Sequence, residues 1–431
     1  MSLLASAARR TVSPLPEHLA AGVYLGGYGS YRQRRAEGVH DDLFCRALAL
    51  SDGGATLLLL ALDLVGARPR WLLELRRAIA GTARLPVEHV LVACTHSHAS
   101  PDTQGLWGGV PKAYYLYLHQ RCVEAAASAL AELSEARLEV ASAFAEGLAR
   151  NRRGWDHTDT SLTVLRALRP DRSPVATLVN FACHPTVTPA SNVLVSCDFP
   201  SGLRQALEKE LGGVAIYING AQGDANPVAA GEFADAEELG RRLAGIAIDA
   251  LASAVPVEPP IALRERRVEI PFRTGLMPGS ARWLLAVALP AVRLAARRGA
   301  LRPLCDRLAA GGRGQTAQVL AALAMAAEGS LVTSGLEIRT RTRAGYLRIG
   351  EALQGLAAPG EVLTRLALPL KSSLPGPHRL FLGLTNDTLG YFVPEDEWMT
   401  GRNNNYEEYV SSGRQAAPAL QAALQALIEE M

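Results

Sequence analysis

Three apolar runs in this chain end in polar residues that could not stay buried without partners. Residues 89–94 carry Val90-Leu91-Val92-Ala93-Cys94 into Thr95-His96-Ser97-His98. Residues 175–183 run into His184-Pro185, and residues 214–218 run into Asn219-Gly220-Ala221-Gln222-Gly223-Asp224-Ala225-Asn226-Pro227. Short apolar runs bounded by turn residues predict strands. Between the apolar run at 55–63 and the one at 89–94, Trp71, Leu72, Leu75 and Ile79 recur at helical spacing. Strand, helix, strand at that separation predicts a parallel crossover. The chain therefore reads as α/β, with mixed β-sheets flanked by helices. In open α/β sheets, sites lie at the carboxyl ends of strands. His96, His98, His184 and the 223–226 loop all occupy such ends.

Composition narrows the class. With 431 residues, 48% of them hydrophobic and 20% charged, the chain is no disulfide-stapled miniprotein, collagen-like repeat or disordered tail. A formal net charge of +2 removes the electrostatic argument for a nucleic-acid partner. Cys45, Cys94, Cys122, Cys183, Cys197 and Cys305 show no CxxC and no even spacing, which predicts free buried thiols in a reducing compartment. Arg9 and Arg10 precede no apolar run, and the run at 57–64 is too short to cross a bilayer. The expectation is a cytoplasmic protein without a signal peptide or transmembrane helix.

Further helices are expected at 112–133, 199–211 and 233–254, and a hairpin from 162–168 and 175–183. A Pro-rich stretch at 256–260 marks a weak boundary. Beyond it, short strands are expected at 336–356, then a Pro-Gly-Glu turn into a helix, and a strand at 379–385. The expectation is one domain over 1–431, with a core at 20–258, a C-terminal part at 259–431 packing on it, and a helical insertion at 281–330. The insertion reads as a hairpin: a basic amphipathic helix with Pro290, a turn at 311–314 and a second helix at 315–327. Packing on the core is its plainest use. Roofing the active-site cleft is a second use, and contact with an anionic membrane surface a third.

In an extended chain, residues i and i+2 face the same side, so His96 and His98 present two imidazoles to one cavity. On pattern alone, a metal pair and a pair of hydrogen-bonded loop histidines stand level. His184 alone reads as structural, and a glycine-rich loop alone reads as an ordinary connection.

Taken in order, several segments resemble the neutral (non-lysosomal) ceramidase family. They are Gly38-Val39-His40-Asp41-Asp42, Thr95-His96-Ser97-His98, Asn151-Arg152, Asn180-Phe181-Ala182-Cys183-His184-Pro185 and Asn219-Gly220-Ala221-Gln222-Gly223-Asp224. The similarity continues through Leu347-Arg348-Ile349-Gly350, Pro359-Gly360-Glu361, the segment from Asn386 to Tyr391, and Tyr406-Glu407. It covers most of the chain outside 281–330. Those enzymes are zinc amidases acting on N-acyl sphingosine. The resemblance implies that His96, His184, Glu361 and Tyr391 hold zinc, and that His98, Arg152 and Tyr406 contact substrate. Two departures stand out. The family's proposed catalytic serine, in Gly-Asp-Val-Ser-Pro, corresponds to Asn226, and an amide is no activated oxygen nucleophile. The family's additional C-terminal β-domain has no counterpart here.

The function expected is therefore a zinc-dependent amidohydrolase, cleaving an amide or related acyl bond with metal-activated water. Its substrate would be a small-molecule or lipid-like acyl amide, and Asn226 would donate a hydrogen bond to the oxyanion. Two alternatives are a true neutral ceramidase and a catalytically inactive relative that binds a ligand or partner through the old cleft.

Overall fold

The computed structural model describes residues 3–273 and 279–430, with side chains from 285 onward in the second stretch. The fold is mixed α/β, as expected. Its first sheet has five strands in the order Val90–Cys94, Thr56–Leu62, Phe44–Ser51, Leu4–Thr11 and Ser134–Glu135. Val90–Cys94 lies parallel to Thr56–Leu62, and the crossover between them is the helix Pro69–Ala83. The second sheet runs Val214–Asn219, Pro174–Phe181, Ser161–Leu168, Arg137–Phe144, Val255–Val257. Its first two strands are parallel. The pair Ser161–Leu168 and Pro174–Phe181 forms the expected hairpin.

The central strands of both sheets are buried on both faces, and their two-residue periodicity shows how. Leu58, Leu60 and Leu62 face the core beneath helices Pro69–Ala83 and Lys112–Ala131. Leu57, Leu59 and Ala61 face Leu178, Ile216 and Ile218 of the second sheet. On that sheet's far side, Val179, Phe181 and Tyr217 pack against helices Phe199–Leu211 and Phe233–Ala250. The result is four layers, helix–sheet–sheet–helix.

The Pro-rich stretch at 256–260 falls where the chain leaves the second sheet for a third. That sheet orders Ile261–Pro271, Glu337–Ile349, Leu353–Ala357 and His378–Leu382, with Leu331–Ser334 beside Glu337–Ile349. It carries helices Thr364–Ser372 and Ala416–Glu429. Leu347, Leu353, Leu380 and Leu382 join the core between the first two sheets, so the later part of the chain packs on the earlier part.

Three differences from the sequence reading have physical causes. The strand Leu4–Thr11 has an Ala- and Arg-rich sequence of weak strand propensity, and full-register pairing with Phe44–Ser51 holds it extended. The expected short strands at 336–356 include one 13-residue strand, Glu337–Ile349, paired along its length with Ile261–Pro271. The insertion has three helices rather than two: Gly279–Arg297, Arg302–Ala310 and Gly314–Gly329. The additional helix carries Pro303 in its first turn, where proline's missing N–H has no partner to lose. Arg282, Trp283 and Leu284, part of the expected amphipathic face, have side chains outside the described residues.

The insertion docks at two places. Leu285, Ala286 and Leu289 pack with Leu331 and Ile338 on the third sheet. Cys305 and Ala317 close around Tyr31 of the N-terminal part. Arg32–Asp306 and Arg68–Glu328 ion pairs, both at 3.2 Å, reinforce the second contact. All six cysteines are buried and free. Among the described residues no helix is long and apolar enough to cross a membrane.

Candidate metal centre

The strand Val90–Cys94 delivers His96 and His98 two and four residues past its end. His96 has φ 72°, a left-handed conformation uncommon for a side-chain-bearing residue. Its N–H donates to Leu64 O at 2.9 Å, and its ring Nδ1 hydrogen-bonds Val65 O. His184 follows the strand Pro174–Phe181. It is pinned twice to Ala225 O, through its backbone N–H at 2.9 Å and its ring Nδ1 at 3.1 Å. Asn219 ties the two histidine loops together: its Nδ2 donates to Thr95 O at 3.0 Å, and its Oδ1 accepts from Cys183 N–H at 3.2 Å.

Glu361 and Tyr391 come from the later part of the chain. They are register partners in a two-residue parallel ladder, Glu361–Val362 against Tyr391–Phe392. Gly223 joins this ladder to the earlier part, donating its N–H to Val362 O at 2.9 Å. A Cβ on Gly223 would lie 2.8 Å from the Val362 carbonyl carbon, so only glycine permits that approach.

The side chains converge. Glu361 Oε2 lies 3.3 Å from His96 Nε2 and 3.0 Å from His184 Nε2. His98 Nε2 lies 3.3 Å from His96 Nε2. Ligand atoms of His96, His98 and His184 all fall within 4.8 Å of one another, so three imidazoles qualify as a metal-binding group. The sequence reading reserved His98 for substrate, whereas its ring shares the cluster. None of the four side chains is appreciably exposed.

The hydrogen bonds fix one proton on each of two rings. A backbone carbonyl only accepts, so His96 and His184 each carry a proton on Nδ1. That leaves Nε2 of both rings facing Glu361 Oε2. Burial, with Arg152 next in importance, lowers the His184 pKa to about 4. Burial pushes His98 well below its usual value, and its neighbours His96 and His184 add to this. Burial alone would raise the Glu361 carboxyl, but His96 and His184 outweigh it and hold it well below the usual range. Three imidazoles and one carboxylate thus share a single buried space, a group that could hold a metal ion. The set fits zinc, whose catalytic sites commonly use histidines with a carboxylate, each histidine held from behind by a hydrogen bond.

Around this centre, Arg152 sits with its guanidinium carbon 5.2 Å above the Tyr391 ring and its Nε donating to Glu407 at 2.9 Å. One of its terminal nitrogens, Nη2, is buried without a partner. Burial holds the Tyr391 hydroxyl well above its usual value, and Glu361 adds to this against the opposing Arg152. Tyr406 lies edge-on to Tyr391, with ring centroids 5.9 Å apart. Asn226 pairs with Arg150 in a short antiparallel ladder, and its Oδ1 is buried and unpartnered. Its neighbour Ala225 is the residue that braces His184.

Three residues with no role assigned from sequence support the site. Tyr28 packs edge-on against His98 at 4.7 Å; its flanking Gly27 and Gly29 were the available signal. Asp224 accepts from Asn151 Nδ2 at 2.7 Å and from Thr364 N–H at 2.8 Å, clamping the Arg152 segment to the Glu361 segment. Glu407 is buried and bridges Arg152 and Arg153, each at 2.9 Å. Nothing in the sequence pairs Glu407 with arginines more than 250 positions away.

A layered α/β fold whose strand ends present a buried His/Glu cluster thus defines the molecule. Two solved structures share that fold along the whole chain. One is the neutral ceramidase from Pseudomonas aeruginosa, with TM-score 0.76, 17% identity, and coverage of 100% of this chain and 75% of that one. The other is a ceramidase complexed with C2, with TM-score 0.75, 17% identity, and coverage of 100% and 76%. No family model matches the sequence, and no curated protein matches it.

Proposed function

We propose that this protein is a zinc-dependent amidohydrolase acting on an acyl amide. The observation that carries the reading is the convergence of His96, His98, His184 and Glu361, with the tautomers of His96 and His184 set by carbonyls behind them. Residues His96, His184, Glu361 and Tyr391 would hold the metal. A bound zinc supplies Lewis acidity, polarising an acyl carbonyl and acidifying water.

The remaining work falls to the chain itself. His98 keeps Nδ1 buried and unpartnered, free to hydrogen-bond the substrate beside the reacting carbonyl. Arg152 offers its unpartnered Nη2 to the oxygen on which negative charge develops. The Asn226 amide adds a second donor through Nδ2. Tyr406, half exposed, meets the outer part of the substrate. Burial of the cluster excludes bulk water, which strengthens each of these interactions. With Asn226 where a serine nucleophile would stand, direct hydrolysis follows, without an acyl-enzyme.

The test is elemental analysis together with turnover. The purified protein should carry about one zinc per chain, and Glu361→Ala should remove it. Asn226→Ala should retain zinc while losing turnover by a factor on the order of a hundred, as for removal of one oxyanion donor. A chain that takes up no zinc when supplied with it, or a trapped acyl-enzyme, would falsify the reading.

A further inference from the structure

A cavity of about 830 Å³ opens beside the cluster. Three residues connect the two. Gly27 lines the cavity and lies so close to His98 that a Cβ there would sit 2.2 Å from the ring. Tyr28 lines it and packs on His98. Tyr406 lines it and packs on Tyr391. The opposite wall comes from the insertion, through the loop after Arg302–Ala310 and the first turn of Gly314–Gly329. The insertion therefore lines the approach to the site, through its 312–318 segment.

The chemistry of the wall is unlike a lipid slot. Ligand pockets are ordinarily lined by apolar side chains with a few polar groups. Here Ser30, Gln33, Arg313, Gln315, Thr316 and Gln318 stand beside the rings of Tyr28, Trp107 and Tyr406, and no described lining residue is aliphatic or acidic. A hydrocarbon tail placed there would take water from Arg313, Gln315 and Thr316 and offer them no partner, at a cost for each group desolvated. Arg313 is the one charged residue among the described lining residues. Its neighbours are committed elsewhere: Arg32 to Asp306, Arg68 to Glu328, and Arg302 to the Gly108 and Val110 carbonyls. Arg313 is exposed, and no described carboxylate is paired with it.

We infer that the cavity selects a hydrophilic acyl amide bearing a carboxylate, such as an N-acyl amino acid, with the carboxylate on Arg313 and the amide at the cluster. This rests on the hydrolase reading for which end of the ligand reacts. The polar lining disfavours a two-chain sphingolipid, and the absence of acidic lining residues favours an anion over an amine.

The experiment pairs calorimetric binding to the protein as purified with cleavage by the zinc-loaded protein. The probes are N-octanoylglycine, N-octanoylethanolamine and N-hexanoylsphingosine. N-octanoylglycine should bind about tenfold more tightly than the ethanolamide, the worth of one charge-assisted contact. Arg313→Glu should erase that difference while leaving ethanolamide binding unchanged. Equal affinities, an order unaffected by Arg313→Glu, or tightest binding of the sphingosine conjugate overturns the inference. Cleavage of none of the three rejects the hydrolase reading alone, since the binding order still decides what the cavity prefers.

Discussion

At Glu361 one carboxylate oxygen faces Nε2 of His96 at 3.3 Å and Nε2 of His184 at 3.0 Å. An amide in its place keeps the shape but withdraws the negative charge that a zinc ligand supplies. Glu361→Gln should therefore leave the melting point of the chelator-treated protein close to the parent's. It should at the same time abolish zinc uptake. Thermal melts with and without zinc read both effects, and a melting point that falls without metal sinks the argument. Asp387 offers a second test. Burial raises its pKa to about 7 against the hydroxyl of Thr342 and the N–H of Thr388. Its folded-state pKa is thus above the unfolded one, so the folded protein holds a proton that the unfolded chain releases. Stability is lost as pH rises from about 4 through about 7, by on the order of 4 kcal/mol at 1.4 kcal/mol per unit. Asp387→Asn should flatten the curve of unfolding free energy across that window. A slope identical to the parent's would show that the carboxyl titrates normally.

Among the elements, the Glu361–Val362 strand depends on a close backbone approach by Gly223. Gly223→Ala places a Cβ against the Val362 carbonyl and must push the ladder away from the histidine loops. Its cost should be about 1–3 kcal/mol, as for other overpacked positions, with zinc affinity lowered in parallel; full zinc affinity would mean that the ladder moves freely. The elements also show what the sequence could and could not convey. Strands such as Val90–Cys94 and Val214–Asn219 were legible because an unbroken apolar run next to a polar break has few other solutions. Leu4–Thr11 was not, because its partner rather than its composition makes it a strand. His96 and His98 announced themselves through i, i+2 spacing. Glu361 and Tyr391 did not, since a glutamate before a helix and a tyrosine in an apolar stretch have commoner explanations. Only their family resemblance singled them out, and their pairing in one ladder exists only in three dimensions. Glu407 and Tyr28 act through contacts of the same long-range kind.

For the whole molecule, the cluster sits where two lengths of chain meet. His96, His98 and His184 hang from the first two sheets, whereas Glu361 and Tyr391 come from the segments either side of His378–Leu382, a strand of the third. Asp224 and Gly223 close the seam between them. Contacts this distant in sequence form late, after the loop-closure entropy has been met by other packing. The site is therefore also a clock. During refolding, the α/β layers should gain their circular dichroism before the chain can capture metal at full affinity, and a zinc-sensitive dye should report uptake only after that signal has levelled. Zinc uptake that keeps pace with the earliest secondary structure would mean that the histidines alone suffice. Otherwise, until Glu361 has been made the chain holds three imidazoles and no carboxylate at this cluster, so any metal captured before that point rests on histidines alone.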